Sequence, residues 1–182
     1  MSPKWVYVLM AGIIISSLGY SISRFNKRFL FFRKDPLKGQ EVQRMDLPRL
    51  KNMVIPLEQA QDLSMLNDFL HQHTTAQEPV LMYPEMGAVH FIVDRPYIGR
   101  FASATMAWMS PQWHSQWFAQ VRQARPRYAV VPKKIPDYFE TSYFPVEANR
   151  RHFRETMGFI EANYIPVSQT PSWIILQVKE IR

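Results

Sequence analysis

The residues equipped to do chemistry crowd into one stretch, Glu78–Arg100, EPVLMYPEMGAVHFIVDRPYIGR. It carries Glu85 and Asp94, the cations Arg95 and Arg100, the imidazole of His90 and the phenol of Tyr83. Carboxylates beside a guanidinium stay ionised and paired, which suits binding better than proton transfer near neutral pH. Structural ion pairs are also commoner than catalytic ones. Glu85, Asp94 and Arg95 therefore read first as groups that cap and pair within this unit, and any further role would run through binding, with Tyr83, Glu85, Asp94, Arg95 and Arg100 as the candidate residues. No catalytic residue is assigned. A rival reading makes the chain a small enzyme working through Glu85, Asp94 and His90.

Other chemistries lack their residues. There is no cysteine, so disulfides, thiolate metal sites and a cysteine nucleophile are excluded. His71 and His73 stand two apart, which on a helix points them to opposite sides, and no HExxH occurs. The glycines are scattered and form neither GxGxxG nor GxxxxGK, and no GxSxG elbow is present. Neither a metal nor an organic cofactor is expected.

The elements that must hold these residues alternate in type. Val80–Tyr83 is a short run apolar on both faces, as in a buried strand, and Met86–Val93 is long enough for two helical turns before Asp94-Arg95-Pro96. Upstream, Leu57, Ala60, Leu63, Leu66 and Leu70 recur at helical spacing, with Glu58, Asp62 and Asp68 on the wet side. Downstream, Ser110-Pro111 opens a helix with Trp113, Trp117 and Val121 on one face. Tyr128–Val131 is a second short strand, and a loop with Tyr138, Phe139, Tyr143 and Phe144 follows. Glu147–Asn163 is a further helix with Phe153, Met157, Ile160 and Tyr164 inward; Ile165–Ser168 and Trp173–Val178 form a hairpin. This order predicts an α/β sandwich with a partly parallel sheet and antiparallel strands added at one edge by the hairpin.

The charge of +7 has an uneven distribution: residues 1–38 hold +6 of it, leaving about +1 for the rest of the 182-residue chain. A nucleic-acid binder spreads its excess over a face of the folded domain, so nucleic acid is not an expected partner. Here the excess flanks Trp5–Ser23, an uncharged run of 19 residues with aromatic ends, long enough for one bilayer-spanning helix; the alternative is a cleavable signal peptide, with Lys4 as a thin n-region and Ser17-Leu18-Gly19 as a weak cleavage site. Arg24–Lys38 alternates basic residues with Phe25, Phe29, Phe31 and Phe32, a pattern fit for lipid headgroups. The expected organisation is a membrane anchor over residues 1–23, a basic segment and linker over 24–56, and an α/β domain over 57–182.

Val80–Glu85, Phe91–Arg95 and the arginine-proline-arginine-tyrosine plus apolar strand at Arg125–Val131 together resemble one known family. The order of elements is similar to the C-terminal extracytoplasmic domain of integral-membrane glycosyltransferases of the GT-C class. These enzymes use polyprenyl-phosphate sugars, as protein O-mannosyltransferases and aminoarabinose transferases do. The family's catalytic acids lie in an early loop between many transmembrane helices, and no position here matches that loop. The resemblance thus implies a single-pass, glycosyltransferase-like domain without catalytic residues, accessory to glycan or lipid-linked sugar transfer. Its implied partners are membrane lipid and a polytopic catalytic protein. It implies an extracytoplasmic domain, whereas positive-inside counting around Trp5–Ser23 favours the cytoplasm. The alternative is a single-pass adaptor that docks a membrane complex through Tyr138–Phe144 without sugar chemistry.

Overall fold

A computed structural model of the chain describes residues 37–84, 86–108, 110–135 and 146–180. The anchor expected at Trp5–Ser23, nearly all of the basic segment, Glu85 and the aromatic loop Tyr138–Phe144 lie outside the described residues. Among those described, no helix is long and apolar enough to cross a membrane. The chain divides into two compact units, Met1–Glu41 and Val42–Arg182. Of the first, only a turn at its end is described, in which the Gln40 amide donates to the Leu37 carbonyl at 3.0 Å.

The second unit begins where a linker was expected. Val42–Arg44 (β1) pairs antiparallel with Val54–Pro56 (β2), and a 3-10 turn at Pro48–Leu50 lies between them. Met45 and Leu50 are buried against Ala60, so this segment is part of the fold. It lacks the length to show a period, but a few apolar side chains at the right places suffice to seat it.

Leu57–His73 (α1) follows directly, and Leu81–Met82 (β3), Gly87–Ile92 (α2), Ala104–Ala107 (α3), Pro111–Ala124 (α4) and Tyr128–Pro132 (β4) come next. Val146–Asn163 (α5) runs into the hairpin Tyr164–Gln169 (β5) and Trp173–Val178 (β6). The main sheet has the order β3-β4-β6-β5, with β3 and β4 parallel and the rest antiparallel. The partly parallel sheet and the edge hairpin are therefore as expected.

Strand alternation sorts the core into two layers. Val80, Met82, Tyr128, Val130 and Ile175 face α1 and α2, where Leu66, Leu70, Met86 and Val93 meet them. Leu81, Tyr83, Ala129, Val131 and Leu176 face the other way, toward Trp117, Phe118 and Val121 of α4 and Phe153 and Ile160 of α5. Buried on both faces, β4 takes only apolar or aromatic residues up to Pro132. Asp62, expected on the wet side of α1, is buried instead. Its Oδ1 accepts the Ser172 amide at 3.2 Å and so ties the helix to the β5–β6 turn.

Candidate functional site

An open cleft of about 550 Å³ lies between the end of α1, helix α2 and the chain that follows it. Its wall is built by the way α2 ends. Asp94 sits at φ +50°, a left-handed conformation that Asp and Asn adopt more readily than most residues. The Asp94 amide donates to the Phe91 carbonyl at 3.3 Å and the Arg95 amide to the His90 carbonyl at 3.2 Å, closing the helix before Pro96. The turn sends Asp94 outward and Arg95 inward.

Arg95 is 6% exposed. Its Nε donates to Thr74 Oγ1 at 2.7 Å, Nη2 to the Thr74 carbonyl at 3.2 Å and Nη1 to the Asp94 carbonyl at 2.9 Å. All three acceptors are neutral. Thr74 is itself held at the end of α1, where its hydroxyl donates to the Leu70 carbonyl. His71 Nε2 lies 3.4 Å from Arg95 Nη1, but the Val93 carbonyl at 3.1 Å makes that nitrogen a donor, so it does not accept from Arg95. A guanidinium is thus fixed at the cleft without a carboxylate in contact among the described residues.

Asp94 instead pairs with Arg49 from the 3-10 turn, at 2.6 Å. The Arg49 hydrogen bond holds the Asp94 carboxyl below its ordinary range, with the charges of Arg49, Arg95 and His71 adding to it. Arg49 also stacks over Phe91, 5.3 Å from the ring centre. Phe91 and Tyr97 are 60% and 43% exposed, which leaves two aromatic faces on the cleft. Behind them His90 is 6% exposed, stands edge-on to Tyr97 at 6.2 Å, and has no partner for Nδ1 among the described residues. Burial pushes the His90 imidazole down to about 4, partly offset by its hydrogen bond with the Arg95 backbone, so it is neutral at physiological pH.

Of the residues singled out in the sequence, Asp94 and Arg95 meet here, and they meet His90. Tyr83 does not join them: it is fully buried on the opposite face of the sheet, stacked with Trp117 and Phe153. A tyrosine at a strand end reads the same whether its ring points to solvent or to a helix. Arg100 is exposed and lies over Phe101 and Trp113, at 4.7 and 5.3 Å from the ring centres, and does not line the cleft. Glu85 is outside the described residues. Sequence reasoning overlooked Phe91, Tyr97 and Gln77 as cleft residues. Phe91 alone carried a signal, being apolar beside the buried positions His90 and Val93 but off their face.

Asp94 is held ionised and His90 neutral, so neither is poised to exchange a proton near pH 7. No three His, Asp or Glu residues gather for a metal among the described residues. Aromatic faces beside planar polar groups suit a ligand with both apolar faces and hydrogen-bonding edges, as a sugar ring has.

No family model matches the chain. No curated protein matches it. Among solved structures, the C-terminal globular domain of an oligosaccharyltransferase from Archaeoglobus fulgidus aligns with 70% of this chain and all of that chain, at 13% identity and a TM-score of 0.41.

Proposed function

We propose that this chain is a membrane-anchored, glycosyltransferase-like α/β module that binds a glycan or lipid-linked sugar and serves a catalytic partner. The observation that carries this reading is the cleft after α2, where Phe91 and Tyr97 stand exposed over Asp94, Arg95 and Gln77. A cleft with aromatic faces and fixed polar groups favours binding; the state of Asp94 and His90 disfavours acid–base work. The family resemblance at Val80–Glu85, Phe91–Arg95 and Arg125–Val131 supports the sugar as ligand. The uncharged run Trp5–Ser23 with its basic flank supports the anchor, and the resemblance favours an extracytoplasmic domain.

The test has two arms. The purified chain is titrated with soluble sugars and with lipid-linked sugar donors, and Phe91→Ala and Tyr97→Ala are compared with the parent. Binding that weakens about tenfold in either variant, with the melting temperature unchanged, is the expected result. The same mixtures, given candidate acceptors, should show no donor turnover. Turnover abolished by Asp94→Asn or Glu85→Gln overturns the non-catalytic reading. In cells, the chain should stay with membranes through high-salt and carbonate washes.

A further inference from the structure

We infer that the cleft selects sugars bearing an oxyanion, with Arg95 as the anion-binding residue and His90 Nδ1 as an acceptor for a sugar hydroxyl. This rests on the proposed sugar-binding role of the cleft and names the class of ligand. The argument begins with what Arg95 lacks. A guanidinium removed from water normally finds a carboxylate, because neutral acceptors do not replace the lost hydration of a full charge. Arg95 is buried with the Thr74 hydroxyl, the Thr74 carbonyl and the Asp94 carbonyl. These bonds engage Nε, Nη1 and Nη2, and Nη1 also stands 3.4 Å from His71 Nε2, which leaves the second hydrogen of Nη2. A guanidinium N–H left over in this way donates readily to a carboxylate or phosphate oxygen.

The carboxylate beside Arg95 in the chain, Asp94, has its charge met by Arg49 at 2.6 Å. Arg49, Asp94 and Arg95 together carry one net positive charge. His90 supplies an independent sign of a ligand. It lines the cleft, is more than nine-tenths buried, and its Nδ1 meets no partner among the described residues. The one hydrogen of the neutral imidazole is engaged by the Arg95 backbone, so Nδ1 is left to accept from a sugar hydroxyl. Phe91 and Tyr97 at the rim would hold the ring while Arg95 takes the charge.

The probes for the full-length chain in detergent are methyl glucoside, glucuronate, glucose 1-phosphate and inorganic phosphate, read by calorimetry or ligand-observed NMR. Glucuronate or glucose 1-phosphate should bind at least about tenfold tighter than methyl glucoside, and less so as salt is raised. Which of the two binds tighter tells a carboxylate ligand from a phosphate one. Arg95→Gln should abolish the preference. Because Arg95 also ties α1 to α2, a second variant guards against misfolding: Asp94→Asn, whose side chain suits the left-handed backbone, should raise affinity for the acidic sugars about two- to threefold. Equal binding of neutral and acidic sugars, or no gain in Asp94→Asn, overturns this inference and leaves the cleft a sugar site. Inorganic phosphate binding as tightly as glucose 1-phosphate overturns the role given to the sugar ring. Absence of binding by every probe overturns both readings.

Discussion

Tyr83 packs between Trp117 and Phe153 with ring centres near 6 Å, while its hydroxyl makes no hydrogen bond of good geometry among the described residues. Burial drives its phenol upward, against a weaker opposing pull from the Thr156 hydroxyl, so it stays protonated throughout the useful pH range. The fold uses the ring. Tyr83→Phe should therefore leave stability unchanged or raise it by up to about 1 kcal/mol, since only the weak Thr156 contact is lost and a buried oxygen is removed. Trp117→Ala, by contrast, empties the middle of the same cluster and should cost about 3–5 kcal/mol in denaturant melts. A costly Tyr83→Phe would mean that its hydroxyl has a partner. At this scale the sequence named the right turn, Asp94-Arg95-Pro96, because proline and a charged pair announce it. It did not tell Tyr83 from a surface residue, since side-chain direction depends on which face of β3 meets which helix.

Between α4 and α5 the contact is made by two imidazoles. His114 and His152 stack with ring centres 3.9 Å apart and planes inclined by 11°, both buried. Thr156 Oγ1 lies 3.4 Å from His114 Nε2 and donates its own hydrogen to the His152 carbonyl, and Glu155 Oε2 is 3.9 Å from His114 Nδ1. Burial, then the neighbouring His152 and Arg151, push His114 down to about 4; burial and Arg151 push His152 down as well. The unfolded chain, with ordinary histidines near 6.5, therefore takes up protons first as the solution is acidified. Stability contributed by these groups is intact above about pH 6.5 and declines as pH falls toward 4. His90 adds to the same decline. Melting temperature followed from pH 7.5 to 4.5 should drop, and His114→Phe should flatten the slope; an unchanged slope would show that His114 does not govern it.

These helices also show what spacing can and cannot say. The extent of α4 was legible from Ser110-Pro111, although the Ser110 side chain makes no capping bond. Its inner face is His114, Trp117, Phe118 and Val121, turned from the Trp113–Trp117–Val121 stripe that an apolar alphabet selects. Trp113 sits at the margin against Phe101, 5.6 Å between ring centres. On α5 the buried set includes Asn149, His152 and Thr156, polar residues that apolar periodicity passes over.

For the whole molecule, the β1–β2 hairpin sets where the domain can be cut. A start near Leu47, natural if residues 24–56 were only a linker, would discard β1 and buried Met45. A fragment beginning at Val42 should melt cooperatively, and one beginning at Leu47 should melt several degrees lower; equal melting would make the hairpin dispensable. The fold class was readable from alternating short apolar strands and amphipathic helices. The hairpin was not, because three-residue strands whose side chains are exposed or only half-buried leave no period to detect.

Strand β4 has one further consequence, for the order of folding. Both of its partners are distant in the chain: Met82 pairs with Val130 on one side, and Ile175 with Val130 on the other. By contrast β5 and β6 meet across a short turn and α5 leads straight into β5. Local contacts close early, and distant ones must wait for long loops to be ordered. The α5–β5–β6 segment is then the natural nucleus, with β4 recruited next and the two-residue β3 last. In rapid-mixing experiments, truncating Ile175 should slow refolding, while truncating Met82 should mainly quicken unfolding. The cleft, which hangs on the chain just after β3, would be the last part of the domain to become competent.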